Sequence, residues 1–305
     1  MTTTSGRFTA RLAQGPIVLD GGLATELEEL GHDLADSLWS ARLLRDSPDD
    51  IEAVHRAYFA AGADVAITAG YHASYEGFAA IGVGREETGR LLRLSVELAQ
   101  RARDAVRPEG LVAASIGPYG VVLANGTEYT GDYSGVSDRQ FAEVHRPRID
   151  AMLEAGPDLL AFETIPALRE VLALVELLGE YEGVESWITF CCRDGAQLSD
   201  GTPVEEAVRV VADSGRVAAL GINCTPPEHI DALLERTRAV TDLPILVYPN
   251  SGRIWDGDRY EWNGVGVEGF PPSLIAGWAA RGARGIGGCC GIGPAAIADV
   301  ASALR

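Results

Sequence analysis

The stretch SPDDIEAVHRAYFAAGADVAITAG, residues 47–70, contains the unit that decides the fold. Ser47 is placed to cap a helix, and Pro48 to occupy its first position, where a missing N–H removes no intrahelical bond. Ile51, Val54, Tyr58 and Ala61 recur at helical spacing, and Gly62 supplies a common helix stop. The pattern then changes to ADVAITAG (63–70), a continuous apolar run. Such a run suits a strand buried on both faces, as in a parallel sheet.

Working outward, seven more runs of this kind are found: PIVLDGG (16–22), LVAASIGPYG (111–120), DLLAFETI (158–165), SWITFCCRDG (186–195), VAALGINC (217–224), LPILVYPNSG (243–252) and ARGIGGCCG (283–291). Helix-period segments lie between them at 84–106, 137–156, 202–215, 226–240, 271–283 and 293–304, with Pro147 expected to kink or break the second. Eight strand-then-helix units predict an α/β fold, a (β/α)8 TIM barrel, as a single domain over residues 1–305. Residues 1–10 read as a flexible tail. The rival is a doubly wound open sheet, but DGGLATELEELG (20–31) lacks the Gly-x-Gly-x-x-Gly phosphate turn that such a sheet carries after its first strand.

Composition narrows the partners. The 25 basic and 44 acidic side chains give a formal charge of −19, a field that repels nucleic acid. No apolar run approaches the ~18 residues needed to cross a bilayer. MTTTSGRFTA (1–10) has no secretory apolar core, so a cytoplasmic location and no membrane partner are expected. In that compartment the five cysteines read as packing, reactive or metal-binding thiols rather than disulfides.

A (β/α)8 barrel carries its chemistry where its strands end. Those ends hold Asp20, Thr68, Glu163 with Thr164, Cys192 with Asp194, Asn223 with Cys224, Asn250, and Cys289 with Cys290. Three of the thiols come from the sixth and eighth strands, separated by one strand, and soft thiolates most commonly hold tetrahedral zinc. Neighbouring residues in a strand point to opposite faces. Cys289 and Cys290 therefore reach one ion only if the backbone turns, and Gly287, Gly288 and Gly291 permit that turn. Spacing alone leaves a three-thiolate site and a four-thiolate site that includes Cys192 both open. Cys191 and Cys192, within an apolar run, also read as small hydrophobes. An all-thiolate set makes zinc a weak activator of water and suits sulfur chemistry. Two other classes compete: a cysteine nucleophile doing acyl transfer, which needs a histidine beside Cys192 or Cys224, and a non-catalytic, zinc-stabilised barrel.

DGGLATELE (20–28), GPYG (117–120), NGTEYTGDY (125–133), FETIP (162–166), LSDGTP (198–203), GINC (221–224), VYPNSG (247–252) and GGCCG (287–291) resemble, in order and over nearly the whole chain, the homocysteine S-methyltransferases. The likeness is greatest to the small members that use S-methylmethionine or S-adenosylmethionine. It implies a barrel enzyme in which Cys224, Cys289 and Cys290 hold Zn2+, with a fourth position open for the homocysteine sulfur. Its substrates would be homocysteine and a sulfonium methyl donor. It further implies that Asp20 and Glu163 receive the substrate ammonium and that Gly21 and Gly22 let backbone amides approach its carboxylate. Thr68 is retained, and Asn223 and Asn250 shape the pocket. Ala69, His72 and GIGP (291–294) depart from the pattern of many relatives, which bears on donor preference rather than on the reaction. Tyr129, Tyr133 and Trp255 are candidate contacts to the cationic donor.

Overall fold

The computed structural model describes residues 6–34, 38–123, 126–256 and 261–305, with backbone only for 254–256, 261 and 262. Seven strands come first: β1 (Ile17–Val18), β2 (Val65–Ile67), β3 (Leu111–Ile116), β4 (Leu159–Ile165), β5 (Ser186–Phe190), β6 (Ala219–Asn223) and β7 (Ile245–Tyr248). A small antiparallel hairpin, β8 (Ile254–Asp256) and β9 (Glu261–Asn263), precedes the eighth barrel strand, β10 (Ala283–Ile286). The barrel strands are all parallel, in the order β1-β10-β7-β6-β5-β4-β3-β2. A parallel bridge from Leu19 to Val65 joins the two ends of that order, so the chain forms the expected (β/α)8 barrel.

The side-chain period of two splits the core into two layers. Leu111 and Ala113, Leu159 and Ala161, Trp187, Ala219, Leu246 and Tyr248 pack inside the barrel. Val112, Ala114, Leu160, Phe162, Ile188, Leu220 and Val247 face the helices. Counting two residues further along the inward rows reaches Ser115, Glu163 and Thr189, and four further on from Ala219 reaches Asn223, all buried. These four strands, β3 to β6, are thus apolar inside at their start and polar inside at their mouth.

The helix Pro48–Ala61 has Pro48 in its first turn and Gly62 left-handed at φ 108°, as expected, but the Ser47 side chain at its start makes no capping hydrogen bond. The helix Asp138–Leu153 continues through Pro147, contrary to the expected break. The bond it omits is the one to the carbonyl of Glu143, an exposed residue. Residues 7–10, expected within a tail, instead open the helix Arg7–Gln14, which buries Phe8 and Leu12 against the barrel floor. Phe8 meets Trp187 at a ring separation of 5.4 Å, and the Phe8 and Thr9 amides donate to Glu185 at 2.9 Å each. The floor also carries Asp64, paired with Arg11 (2.9 Å) and Arg107 (2.6 Å), and Asp158, paired with Arg7 (2.5 Å) and Arg103 (3.3 Å). Among the described residues, no helix is long and apolar enough to cross a membrane.

Candidate metal and substrate site

Cys224 follows β6 in a left-handed conformation, φ 47°, a placement that costs a non-glycine residue on the order of 1 kcal/mol or more. Two bonds hold it there: its amide donates to the Tyr248 carbonyl (3.1 Å) and its carbonyl accepts from Asn250 Nδ2 (3.1 Å). Past β10 the chain turns through Cys289 and Cys290. The Cys289 amide donates to Pro249 O (2.8 Å), Cys290 O accepts from the Ser251 amide (2.8 Å), and Gly291 is left-handed at φ 81°. Gly288 is forced by packing, since a Cβ there would lie 2.2 Å from Ile292 Cγ2.

These turns bring three sulfurs together. Cys224 Sγ lies 3.8 Å from Cys290 Sγ, which lies 3.9 Å from Cys289 Sγ, and all three are within 4.8 Å of one another. Tetrahedral zinc with Zn–S bonds of ~2.3 Å sets its sulfurs about 3.8 Å apart, so the donor set fits a soft metal in size and chemistry. Cys224 is the thiol held below its ordinary range, because Cys289 and Cys290 donate to it. The other two are pushed up, chiefly by sharing that proton network with Cys224.

The remaining thiols are elsewhere. Cys192 packs in the helix-facing core layer, so the four-thiolate arrangement that includes it is not assembled. Cys191 Sγ points at the Cys224 carbonyl (3.7 Å), and burial pushes its thiol up to about 12. The acyl-transfer alternative needs a histidine base, but among the described residues no histidine lines the cavity that holds Cys224, and His145 is engaged by Glu170 (2.7 Å) and His32 by Asp50 (2.8 Å).

The sulfurs line a concave cavity that opens to solvent, the kind of shape that small-molecule sites take. Gly21, Gly22, Thr68, Glu163, Thr164, Asn223, Tyr71, Tyr129 and Tyr248 also line it. Glu163 is buried, and burial raises its carboxyl to about 7 although Ser115 and Tyr248 donate to it. Asp20 is buried beside Gly21. One of its oxygens accepts from the Ile67 amide (2.8 Å), while the other has no partner. Burial raises Asp20 well above the carboxylate range, and the nearby Glu163 charge adds to the rise. The mouth therefore holds two desolvated acids, and among the described residues no cation is paired with either.

Several expected pocket residues serve the walls instead. Asn223 clamps Thr164: it accepts from the Thr164 amide (2.7 Å) and donates to its hydroxyl (2.7 Å), holding Thr164 at φ 63°. Asn250 does not line the cavity and is committed to Cys224 O and the Gly252 amide. The Thr68 hydroxyl accepts from the Ser115 amide (3.0 Å). Asp194 accepts from the Ala196 and Gln197 amides in a local turn. The Gly22 amide already donates to Ile292 O (2.9 Å). Beyond it, however, Leu23, Ala24 and Thr25 line the cavity as the first turn of the helix Leu23–Glu29, whose start has no side-chain cap. Uncapped first-turn amides favour an anionic group.

Of the aromatic candidates, Tyr129 sits in the site with its hydroxyl 3.8 Å from Cys224 Sγ. Tyr133 is committed to Glu170 (2.5 Å), and the Trp255 side chain lies outside the described residues. Sequence reasoning missed Tyr58 and Thr25. The Tyr58 hydroxyl reaches Gly22 O and Ile292 O, and Thr25 Oγ1 accepts from the Gly291 amide, so both fasten the first-strand loop to the cysteine loop. Nothing in their local sequence marks a contact made across more than 200 residues.

A family model described as homocysteine S-methyltransferase matches residues 17–304. The homocysteine S-methyltransferase YbgG of Bacillus subtilis is 47% identical over 298 residues, covering 95% of this chain and 94% of that protein. A homocysteine S-methyltransferase of Escherichia coli is 47% identical over 292 residues, covering 93% and 94%. The metallated form of the homocysteine methyltransferase MmuM from Escherichia coli superposes with a TM-score of 0.87 at 44% identity, covering 97% of this chain and 99% of that one.

Proposed function

The chain belongs to the homocysteine S-methyltransferase family and is an enzyme that methylates the thiol of homocysteine, and from that premise we propose its metal, its donor and the task of each site residue. Cys224, Cys289 and Cys290 hold zinc, a reading supported by three soft donors at tetrahedral spacing. When bound, zinc supplies the Lewis acidity that lets a thiol present itself as thiolate near neutral pH. The acceptor's ammonium lies against Asp20 and Glu163, where it supplies the missing positive charge. Its carboxylate lies at Gly21 and the first turn of Leu23–Glu29. Ser115, Tyr248 and Thr189 fix Glu163: the Tyr248 hydroxyl lies 3.3 Å from Glu163 Oε2 and 2.7 Å from Thr189 Oγ1.

The methyl donor is a sulfonium, S-methylmethionine or S-adenosylmethionine. A lone pair of the homocysteine thiolate forms the new S–CH3 bond while the donor's CH3–S bond breaks. The departing sulfur keeps that electron pair and becomes a neutral thioether, so the donor's positive charge and the thiolate's negative charge vanish together. Orientation of two sulfurs in line is the chain's main contribution. Thr68, Asn223 and Asn250 position the walls, Asn250 by holding the carbonyl of left-handed Cys224. We place the enzyme in the cytoplasm, where thiols stay reduced.

One observation carries this reading: three thiols and the buried acid Glu163 line a single cavity, beside which the buried Asp20 keeps one oxygen without a partner. The test is to incubate zinc-loaded protein with homocysteine and each sulfonium donor separately and to assay methionine. Product with at least one donor is expected. Absence of product with both would overturn the donor assignment.

A further inference from the structure

The loop that follows β1 and the loop that follows β10 are built as one piece. Gly21 to Thr25 on the first and Gly288 to Cys290 on the second line the same cavity. Three hydrogen bonds cross between them: the Gly288 amide donates to Asp20 O (3.0 Å), the Gly22 amide to Ile292 O (2.9 Å) and the Gly291 amide to Thr25 Oγ1 (2.8 Å). The backbones approach so closely that a Cβ on Gly21 would lie 2.3 Å from Ile292 O, and one on Gly22 would lie 2.8 Å from Cys289 O.

Tyr58 closes the join from behind. It is fully buried on the helix Pro48–Ala61, whose Ile51, Val54 and Phe59 anchor it in the core. The Tyr58 hydroxyl lies 2.9 Å from Gly22 O and 3.1 Å from Ile292 O, one carbonyl on each loop, and donates between them. A Cβ on Gly21 would also lie 2.8 Å from Tyr58 Cε1, so the ring backs the first loop while the hydroxyl ties both. Tyr58 does not line the cavity, so it acts only through the two loops that do.

These loops carry the two ends of the acceptor. The first holds Asp20, Gly21 and the first turn of Leu23–Glu29, against which the amino-acid head group lies. The second holds Cys289 and Cys290, on the side that takes the acceptor sulfur. We propose that the clasp is a ruler: it fixes the span between head group and metal, and so selects a thiol two methylenes from its α-carbon over a shorter or a longer one, with Tyr58 as a positioning residue. This rests on the acceptor placement above. One methylene more or fewer displaces the sulfur or the head group by on the order of 1 Å, and misplacement on that scale costs about 100-fold in rate. A cavity that only limited bulk would discriminate differently, rejecting the longer thiol by steric clash and admitting the shorter.

The test compares kcat/KM of the zinc-loaded full chain, at saturating sulfonium donor, for homocysteine, for cysteine with one methylene fewer and for 2-amino-5-sulfanylpentanoate with one more. The wild type is expected to prefer homocysteine over both by about 100-fold. Tyr58→Phe removes one hydroxyl and is expected to narrow both preferences to about 10-fold, because homocysteine alone falls, by the worth of one hydrogen bond. The other two acceptors, and the metal content read by elemental analysis, should stay within about twofold of wild type. Equal loss with all three acceptors would make Tyr58 a structural residue and overturn the proposal, as would an unchanged ranking. Thr25→Val removes the acceptor of the Gly291 amide and should narrow the preference in the same way, which serves where Tyr58→Phe does not fold. A wild type that methylates cysteine as readily as homocysteine overturns the ruler without any variant. If instead Asp20→Asn left kcat/KM for homocysteine within about twofold of wild type, the acceptor placement itself would fail, and the ruler with it.

Discussion

The barrel buries carboxylates at both ends and treats them oppositely. At the floor, Asp64 accepts from two arginines and from the Val18 amide. Asp158 accepts from two arginines and from the Val112 amide. At the mouth, Asp20 keeps an oxygen with no partner, and Glu163 relies on neutral hydroxyls. Matched charges at the floor tie strands and helices together. Unmatched charges at the mouth weaken the empty protein and become an asset only when a cationic substrate arrives. The same residue type thus marks stability at one end and binding at the other, and pairing tells them apart.

The contrast can be broken most severely at the sulfurs. Cys289→Ser should lose metal and cut kcat/KM by about 1,000-fold or more, with metal content read by elemental analysis. Retention of both would remove the metal site from the account. At the floor, Asp64→Ala should cost about 3 kcal/mol of stability, because two guanidiniums and a strand amide lose their acceptor. Urea unfolding reads the loss, and kcat/KM should stay within about twofold. At the mouth the signs reverse. Asp20→Asn should lower kcat/KM for homocysteine by about 100-fold while leaving the metal-free protein as stable as wild type or more so. A stability loss like that of Asp64→Ala would erase the distinction between the two ends.

The most gradual effect is a pH dependence. Folded Glu163 titrates near 7 against an ordinary 4.5 because it is buried. Between those values the folded state holds a proton that the unfolded chain has released. Its contribution is therefore full below about pH 4.5 and is lost as pH rises through 7, on the order of 3 kcal/mol. Unfolding series on the metal-free protein should show this decline, and Glu163→Gln should flatten it. A wild type that gains stability over this interval relative to the variant would contradict the assignment.

Much of this was legible in the residues. Repeated apolar runs with helical segments between them announce a parallel barrel, and the strand-end rule alone puts Asp20, Glu163, Cys224, Cys289 and Cys290 around one opening. Other parts were hidden for identifiable reasons. The helix Arg7–Gln14 is short and polar on most faces, so its two anchoring residues look like chance in a tail. The hairpin β8–β9 belongs to no strand–helix unit. Asn223 and Asn250 sit at strand ends like the other candidates. Only three-dimensional pairing shows that their amides are consumed by Thr164 and Cys224.

The most direct test of the central claim is X-ray absorption at the zinc edge of the loaded protein, with and without homocysteine. Three sulfurs and one lighter ligand should surround the metal in the free enzyme, becoming four sulfurs when homocysteine is added. Four sulfurs before the acceptor is present, or a sulfur count that does not change on its addition, would contradict a three-cysteine site with one position reserved for the substrate thiol.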